Sequence, residues 1–232
     1  MGRAVATLAV ECSVHRAAHT ARVRPDPPDL PARLEPAEAL DGEGLHEAAL
    51  SDAALAGLDA PGLSIDACVL DGVVLAGARL GGAQLRDSEL RRCDLANADL
   101  RGVRARRVRI AGGRLTGALL SEADLGEVEL EDCRADLTAF AGARLDRVRI
   151  ASCDLRGSDW QSAQLSRVRF EDCELNGADL TGARFASVEL RGCRLDGVRG
   201  AATLRGVTMS LDDVLANAGV FAAACGVRVA DV

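Results

Sequence analysis

From Leu50 to Leu195 an apolar residue recurs at every fifth position. Of the 30 positions in that phase, 27 are Leu, Ile, Phe or Trp, and the exceptions are Ala60, Ala105 and Ala135. Two residues before each stands a small side chain (Ala, Cys, Val, Ser, Thr or Gly) in 28 of the 30 cases, with Leu58 and Leu63 as the departures. The positions between are filled by Asp, Glu, Arg, Gly, Asn and Gln. A helix repeats its faces about every 3.6 residues and a strand about every 2, so neither holds a strict five-residue phase over this length.

A longer period lies on top of the first. The small positions run Ala123, Val128, Cys133, Thr138, then Ala143, Val148, Cys153, Ser158, then Ala163, Val168, Cys173, Ala178, and then Ala183, Val188, Cys193, Val198. Residues 20 apart therefore share one side of a four-sided coil. The 30 apolar positions correspond to 7.5 coils, and at about 4.8 Å per coil they form a rod of roughly 35 Å. The same step places Glu89, Arg109, Glu129, Arg149, Arg169 and Glu189 on one face, where mostly alternating signs relieve repulsion between neighbouring coils.

Copies such as Ala98-Asp99-Leu100-Arg101-Gly102 and Ala178-Asp179-Leu180-Thr181-Gly182 resemble the pentapeptide-repeat family, whose consensus is similar to Ala-(Asp/Asn)-Leu-x-x. The resemblance covers about two thirds of the chain. It implies an all-β solenoid: a right-handed, four-sided parallel β-helix in which the centre residue and the small one before it both point inward. Three segments follow: an N-terminal arm, Pro-rich segment and cap over 1–47, the β-helix over 48–209, and a C-terminal helix and tail over 210–232.

Solenoids need capped ends, because an uncovered coil is a template for edge-to-edge association. Between Val198 and Leu204 the phase slips by one residue, and Val207 with Met209 closes a partial repeat. Ser210, followed three residues on by Asp213, predicts a helix N-cap. One amphipathic helix is expected beyond it, with Leu211, Val214, Leu215, Ala218, Phe221, Ala222 and Cys225 on one stripe, stopping at Gly226. Val227-Arg228-Val229 suits a short strand. The helix reads as a cap over the last coil or, as the resemblance implies from topoisomerase-targeting members, as a homodimer contact; the rod is a monomer or such a dimer. At the other end, five of the six prolines lie between Pro25 and Pro36, predicting an extended lead-in. Leu30, Leu34 and Leu40 are placed over the N-terminal end of the rod, and the first 23 residues read as an arm.

Composition agrees with a narrow repetitive core: 48% of the chain is hydrophobic but only 2% is aromatic. A net charge of −7 excludes a general nucleic-acid binder, since phosphate contacts need a cationic surface. No apolar stretch approaches the roughly 20 residues of a membrane span, so a cytoplasmic location is expected.

Candidate chemistry is sparse. Cys12, His15 and His19 have a spacing that a metal site uses on a helix, but a fourth ligand is missing. His46 is the remaining histidine. Cys68, Cys93, Cys133, Cys153, Cys173 and Cys193 occupy the small inward slot and read as buried thiols. Phe140, Trp160, Phe170 and Phe185 sit in centre slots and read as core. No nucleophile–base pair, phosphate loop or metal cluster emerges, so neither enzyme activity nor a cofactor is expected.

The surface carries two departures from even mixing. Arg101, Arg104, Arg106, Arg107 and Arg109 crowd together, and Glu129, Glu131, Asp132, Asp154, Glu171, Asp172 and Glu174 fall on two adjacent faces as a candidate partner-binding acidic patch. The resemblance implies two roles. One is a protein-binding scaffold with an unidentified partner. The other is a DNA-mimicking binder of DNA gyrase or topoisomerase, as in members giving quinolone or self-resistance. The repeats from 50 to 199 hold 24 acids against 21 arginines, a net of only −3, whereas a duplex carries one charge per about 1.7 Å.

Overall fold

The computed structural model describes residues 24–38, 40 and 44–228. Its body is a four-sided parallel β-solenoid in which each residue pairs with the one 20 positions on. Leu85 aligns with Ala105, Ala105 with Leu125, Leu125 with Leu145, and Leu145 with Leu165. The first two faces are built from eight-residue strands, Gln84–Arg91, Arg104–Ala111, Asp124–Glu131, Arg144–Ala151 and Gln164–Glu171. The other two faces are narrower. There, single residues bridge successive coils, as in Arg114 to Arg134 and Asp159 to Asp179, with tight turns between them.

Left-handed residues turn the chain at the corners between faces. Each long strand bends at its middle through Asp87, Arg107, Glu127, Arg147 or Arg167, with φ between 47° and 57°. A left-handed conformation costs a residue with a Cβ roughly 1–2 kcal/mol. Here the corner side chains stack and pair, Arg107 Nε lying 2.5 Å from Asp87 Oδ1 and Arg147 Nη2 2.5 Å from Glu127 Oε1. The corner before the third face mixes bulk with glycine instead. The Asp172 carboxylate lies against Gly192, where a Cβ would come within 2.1 Å of it.

The interior is a column of apolar centre residues flanked by small ones, as the five-residue phase requires. Phe140 and Trp160 stack with ring centroids 4.1 Å apart, and Phe170 meets Trp160 edge-on at 5.7 Å. The buried indole N–H donates to Ser158 Oγ at 2.8 Å, and that hydroxyl donates to the Leu155 carbonyl at 2.6 Å. Ser158 thus holds a small slot because it satisfies Trp160. The six inward cysteines are free and buried, and Cys133, Cys153 and Cys173 each turn their thiol to a backbone carbonyl at 3.2 Å. Burial pushes Cys68 and Cys93 up from the ordinary thiol range. The neighbouring thiols Cys133 and Cys193, together with burial, push Cys153 and Cys173 up in the same direction. Cys68, Cys93, Cys153 and Cys173 therefore stay protonated and chemically quiet.

The ends depart from the expected layout in several places. Coil pairing already includes Leu45, aligned with Ile65, three residues before the expected start. Glu35–Pro36 adds a short parallel strand beside Ala48 and Ala49, and Pro36, lacking an N–H, blunts that edge. Leu40 enters the core, but Leu30 and Leu34 are only half-buried and lie outside it. The one-residue slip near the C-terminus appears as a change of register: Thr208 and Met209 pair with Glu189 and Leu190, 19 rather than 20 apart.

The expected single C-terminal helix is two: α1, Leu211–Ala216, and α2, Ala218–Ala224, broken at Asn217. Ser210 caps α1 as expected, accepting from the Asp213 N–H. The break has a clear cause. Asn217 is buried, accepts from the Leu195 N–H at 2.9 Å and donates to the Cys193 carbonyl at 3.0 Å. In interior coils those backbone groups bond to the next coil, so the Asn217 amide stands in for a missing peptide group. Asp213 does the same for the Gly192 N–H at 2.9 Å. Val227 and Arg228 form no strand, and Val229 lies outside the described residues.

One defect interrupts the core. Ala105, in the column of Leu85 and Leu125, leaves an apolar void of about 60 Å³ that Leu100, Leu120 and Phe140 also line. Ala105→Leu is expected to raise the unfolding free energy by about 1 kcal/mol, read from the denaturant midpoint. A lower midpoint would mean that the void cannot accept the side chain.

Candidate functional site

The charged column expected on the second face is present and is more connected than a straight stack. Arg149 Nη1 reaches Glu129 Oε1 at 2.6 Å and its Nε reaches Glu171 Oε2 at 2.7 Å. Arg109 pairs with both Glu129 and Glu131, and Arg169 joins Glu171 to Glu189, the latter at 2.7 Å. Arg191 closes the run against Glu189. Two of these links, Arg109–Glu131 and Arg149–Glu171, run diagonally, to the residue 22 positions on, because each coil's outward residues alternate in pairs two apart.

This network places the acidic candidates. Glu129, Glu131 and Glu171 lie within it, each against at least two arginines. Asp154 and Glu174 lie on the third face. There Arg156 grips Asp154 at 2.8 and 2.6 Å, and Arg194 and Asn176 approach Glu174 at 3.4 and 3.2 Å. Asp132 and Asp172 occupy the corner between the two faces, in the left-handed conformation. The seven acids are thus brought onto one flank of the rod, interleaved with arginine. The cations hold several carboxylates below the usual range: Arg107 does so for Asp87, Arg167 for Asp146 and Arg156 for Asp154.

The arginine-rich stretch is likewise engaged. Arg101 grips Asp99, Arg107 grips Asp87, and Arg106 reaches the Asp124 carboxylate at 2.7 Å and its carbonyl at 2.9 Å. Arg106 does so by lying flat over Gly126, where a Cβ would come within 2.9 Å of its side chain. Arg104 remains exposed on the first face.

A contact that sequence reasoning missed covers the second face. Arg24–Asp29 runs along the charged column instead of over the end of the rod. Arg24, Pro25 and Pro27 face Arg149, Arg169 and Arg191 across a cleft of about 660 Å³, and Pro25, Pro27 and Pro28 face Glu89, Arg109 and Glu127. The Asp29 N–H donates to Asp87 Oδ1 at 3.1 Å. The strap therefore passes back down the rod, from the coil of Arg169 to that of Asp87. The Pro-Asp-Pro-Pro composition was the available signal for an extended segment, but nothing in it specifies a face.

Among the described residues no His, Cys, Asp and Glu group is arranged to hold a metal. His46 is exposed, with Nδ1 3.3 Å from Asp66 Oδ2. Cys12, His15 and His19 lie outside the described residues. On the C-terminal helices Leu211 and Leu215 are 72% and 65% exposed, and Val214 is 39% exposed. The apolar contact with the core is made by Val220 and Phe221. No helix among the described residues is long and apolar enough to cross a membrane.

Two sequence families match the chain. One, described as a pentapeptide repeat region, matches residues 106–180; the other, pentapeptide repeats in eight copies, matches 68–104 and 163–199. No curated protein matches in sequence. Among solved structures, the chain is similar to HetL, a pentapeptide repeat protein involved in heterocyst differentiation regulation from the cyanobacterium Nostoc sp. The identity is 23%, over 72% of this chain and 90% of that one, with a TM-score of 0.44. It is also similar to QnrB1, a plasmid-mediated fluoroquinolone resistance protein, at 19% identity over 82% and 91% of the two chains with a TM-score of 0.41. A third is Rfr23 from the cyanobacterium Cyanothece, at 17% identity over 65% and 90% with a TM-score of 0.22.

The Arg169–Glu189 pair is the most enclosed link of the column, its side chains 9% and 10% exposed. Glu189→Ala is expected to destabilise the rod by about 3 kcal/mol, because it strands a buried guanidinium. Asp59→Ala, at the exposed Arg79 pair, is expected to leave the unfolding midpoint nearly unchanged. Equal effects would show that the column is solvated along its whole length.

Proposed function

The chain belongs to the pentapeptide-repeat family, and from that premise we propose that it works without catalysis, as a rigid scaffold whose outward side chains are read by a protein partner. The observation that supports this reading is the fixing of the surface charges. Each outward residue is placed by the 20-residue register, and most charged side chains on the second and third faces are held by a partner one coil away. Such a surface is preorganised, so binding loses little side-chain freedom. A reducing, cytoplasmic setting suits the column of free thiols.

The alternative, a duplex-mimicking partner of DNA gyrase, draws on the acids Glu129, Glu131, Asp132, Asp154, Glu171, Asp172 and Glu174 along one flank. The interleaved arginines weigh against it. On the second face the run from Glu131 through Arg109, Glu129, Arg149, Glu171, Arg169 and Glu189 to Arg191 holds four charges of each sign. A duplex mimic needs unbroken negative charge. Gyrase supercoiling with and without a fluoroquinolone separates the readings. The scaffold reading expects no inhibition and no protection at protein concentrations up to about a hundredfold over the enzyme; either effect would favour mimicry.

A second copy of the chain is the partner suited to the exposed face of α1. Leu211, Val214 and Leu215 project there, while Ala218, Phe221 and Ala222 belong to the helix beside the rod. If the rod pairs through this face, sedimentation gives a dimer that Leu211→Ser/Leu215→Ser converts to monomer. A wild-type monomer at about 100 μM leaves the helices as a cap alone.

A further inference from the structure

We propose that the second face is a recognition groove for an extended, proline-bearing peptide, and that Arg24–Asp29 is its built-in occupant. The proposal names a surface for the scaffold reading and rests on it only in taking the rod to be a binding protein.

The strap is seated on the face without belonging to the fold. None of Arg24–Asp29 enters the apolar core, whose first member is Leu40. Among the described residues, its hydrogen bond to the rod is the Asp29 N–H to Asp87, whose carboxylate Arg107 orients from the other side at 2.5 and 2.6 Å. Three of its six residues are proline, so the segment is already extended when free and carries few backbone donors to satisfy. Such a ligand loses little conformational entropy on docking, and the column beneath supplies charges of both signs for its Arg and Asp side chains.

The groove is also built to take more than the strap fills. The cleft of about 660 Å³ between Pro25, Pro27 and the column remains open beside it. Arg169 lines that cleft with its side chain 9% exposed, and its Nε is buried with no acceptor. That N–H is enclosed and out of reach of the cleft, but Arg149 and Arg191 line the same cleft with accessible side chains. A peptide carboxylate lying in the cleft is the group that fits their guanidinium groups. The occupant inferred is therefore a Pro-containing segment with acidic residues, of the same kind as the strap, and the strap holds the face against weaker competitors.

The test uses the full chain. In one variant, Pro25→Gly/Pro27→Gly/Pro28→Gly, the strap keeps its length and loses its preformed extension, so it vacates the face more often. A fluorescent peptide with the sequence of residues 24–30 is titrated against wild type and variant, with anisotropy as the readout and the circular dichroism melt confirming an intact rod. The expected result is binding to the variant at least tenfold tighter than to wild type, with at least tenfold of that affinity lost when Asp87→Ala is added to the variant. Equal affinity for wild type and variant, or no binding to either up to millimolar peptide, overturns the proposal. So does retention of affinity after Asp87→Ala, which would place the peptide elsewhere. Because the peptide is the chain's own, failure here leaves the scaffold reading standing. Conversely, a gyrase effect would overturn that reading without touching the peptide result.

Discussion

The rod depends on one exchange repeated along its length: the backbone N–H and C=O groups of each coil are satisfied by the coils on either side. Leu115 donates to Arg134, Ala135 to Asp154, Leu155 to Glu174 and Leu175 to Arg194, at 2.6–2.8 Å. A shift of one residue in one coil would turn its centre residue outward and misalign every coil after it. That is why the chain holds the five-residue phase so strictly, and why its core contains small and branched side chains in place of an interlocking aromatic cluster. The exception is Phe140 and Trp160, stacked one coil apart in one centre column, with Phe170 meeting the indole edge-on from another face.

The same exchange makes the two ends the exposed points of the architecture, and the chain closes them by different means. At the start, Pro36 removes a donor that would otherwise await a partner. At the finish, the last coil does have donors and acceptors to satisfy, and the cap meets them with side chains. The Asn217 amide presents a donor and an acceptor with the spacing of a peptide group, and Asp213 presents an acceptor. The helix gives up its continuity to put Asn217 there.

Most of the fold was legible because it is periodic. The 20-residue step identified the four sides, put Cys133, Cys153, Cys173 and Cys193 in one buried column, and set Arg109, Arg149 and Arg169 over Glu129 and Glu189. What periodicity could not convey were contacts that break it. The diagonal Arg149–Glu171 link depends on rotamers, not register. Asn217 interrupts an apolar stripe, and its role is visible only once the unpaired Leu195 N–H lies beside it. The strap reaches Asp87 across 58 residues of sequence, with no repeat to mark the correspondence. The mixing of arginine with these acids was legible in the sequence; the strap that covers the second face was not.

The charged column has a consequence for how this molecule meets others. Opposite charges a few ångströms apart form a row of short dipoles whose fields cancel within about one Debye length, roughly 8 Å at physiological salt. A partner approaching the second face feels little pull until it is nearly in contact, so there is no long-range steering toward it of the kind a single-signed surface provides. Encounters there are governed by diffusion and fit. The face selects on contact, by whether a visitor's own charges fall into register with a ruler about 4.8 Å per division.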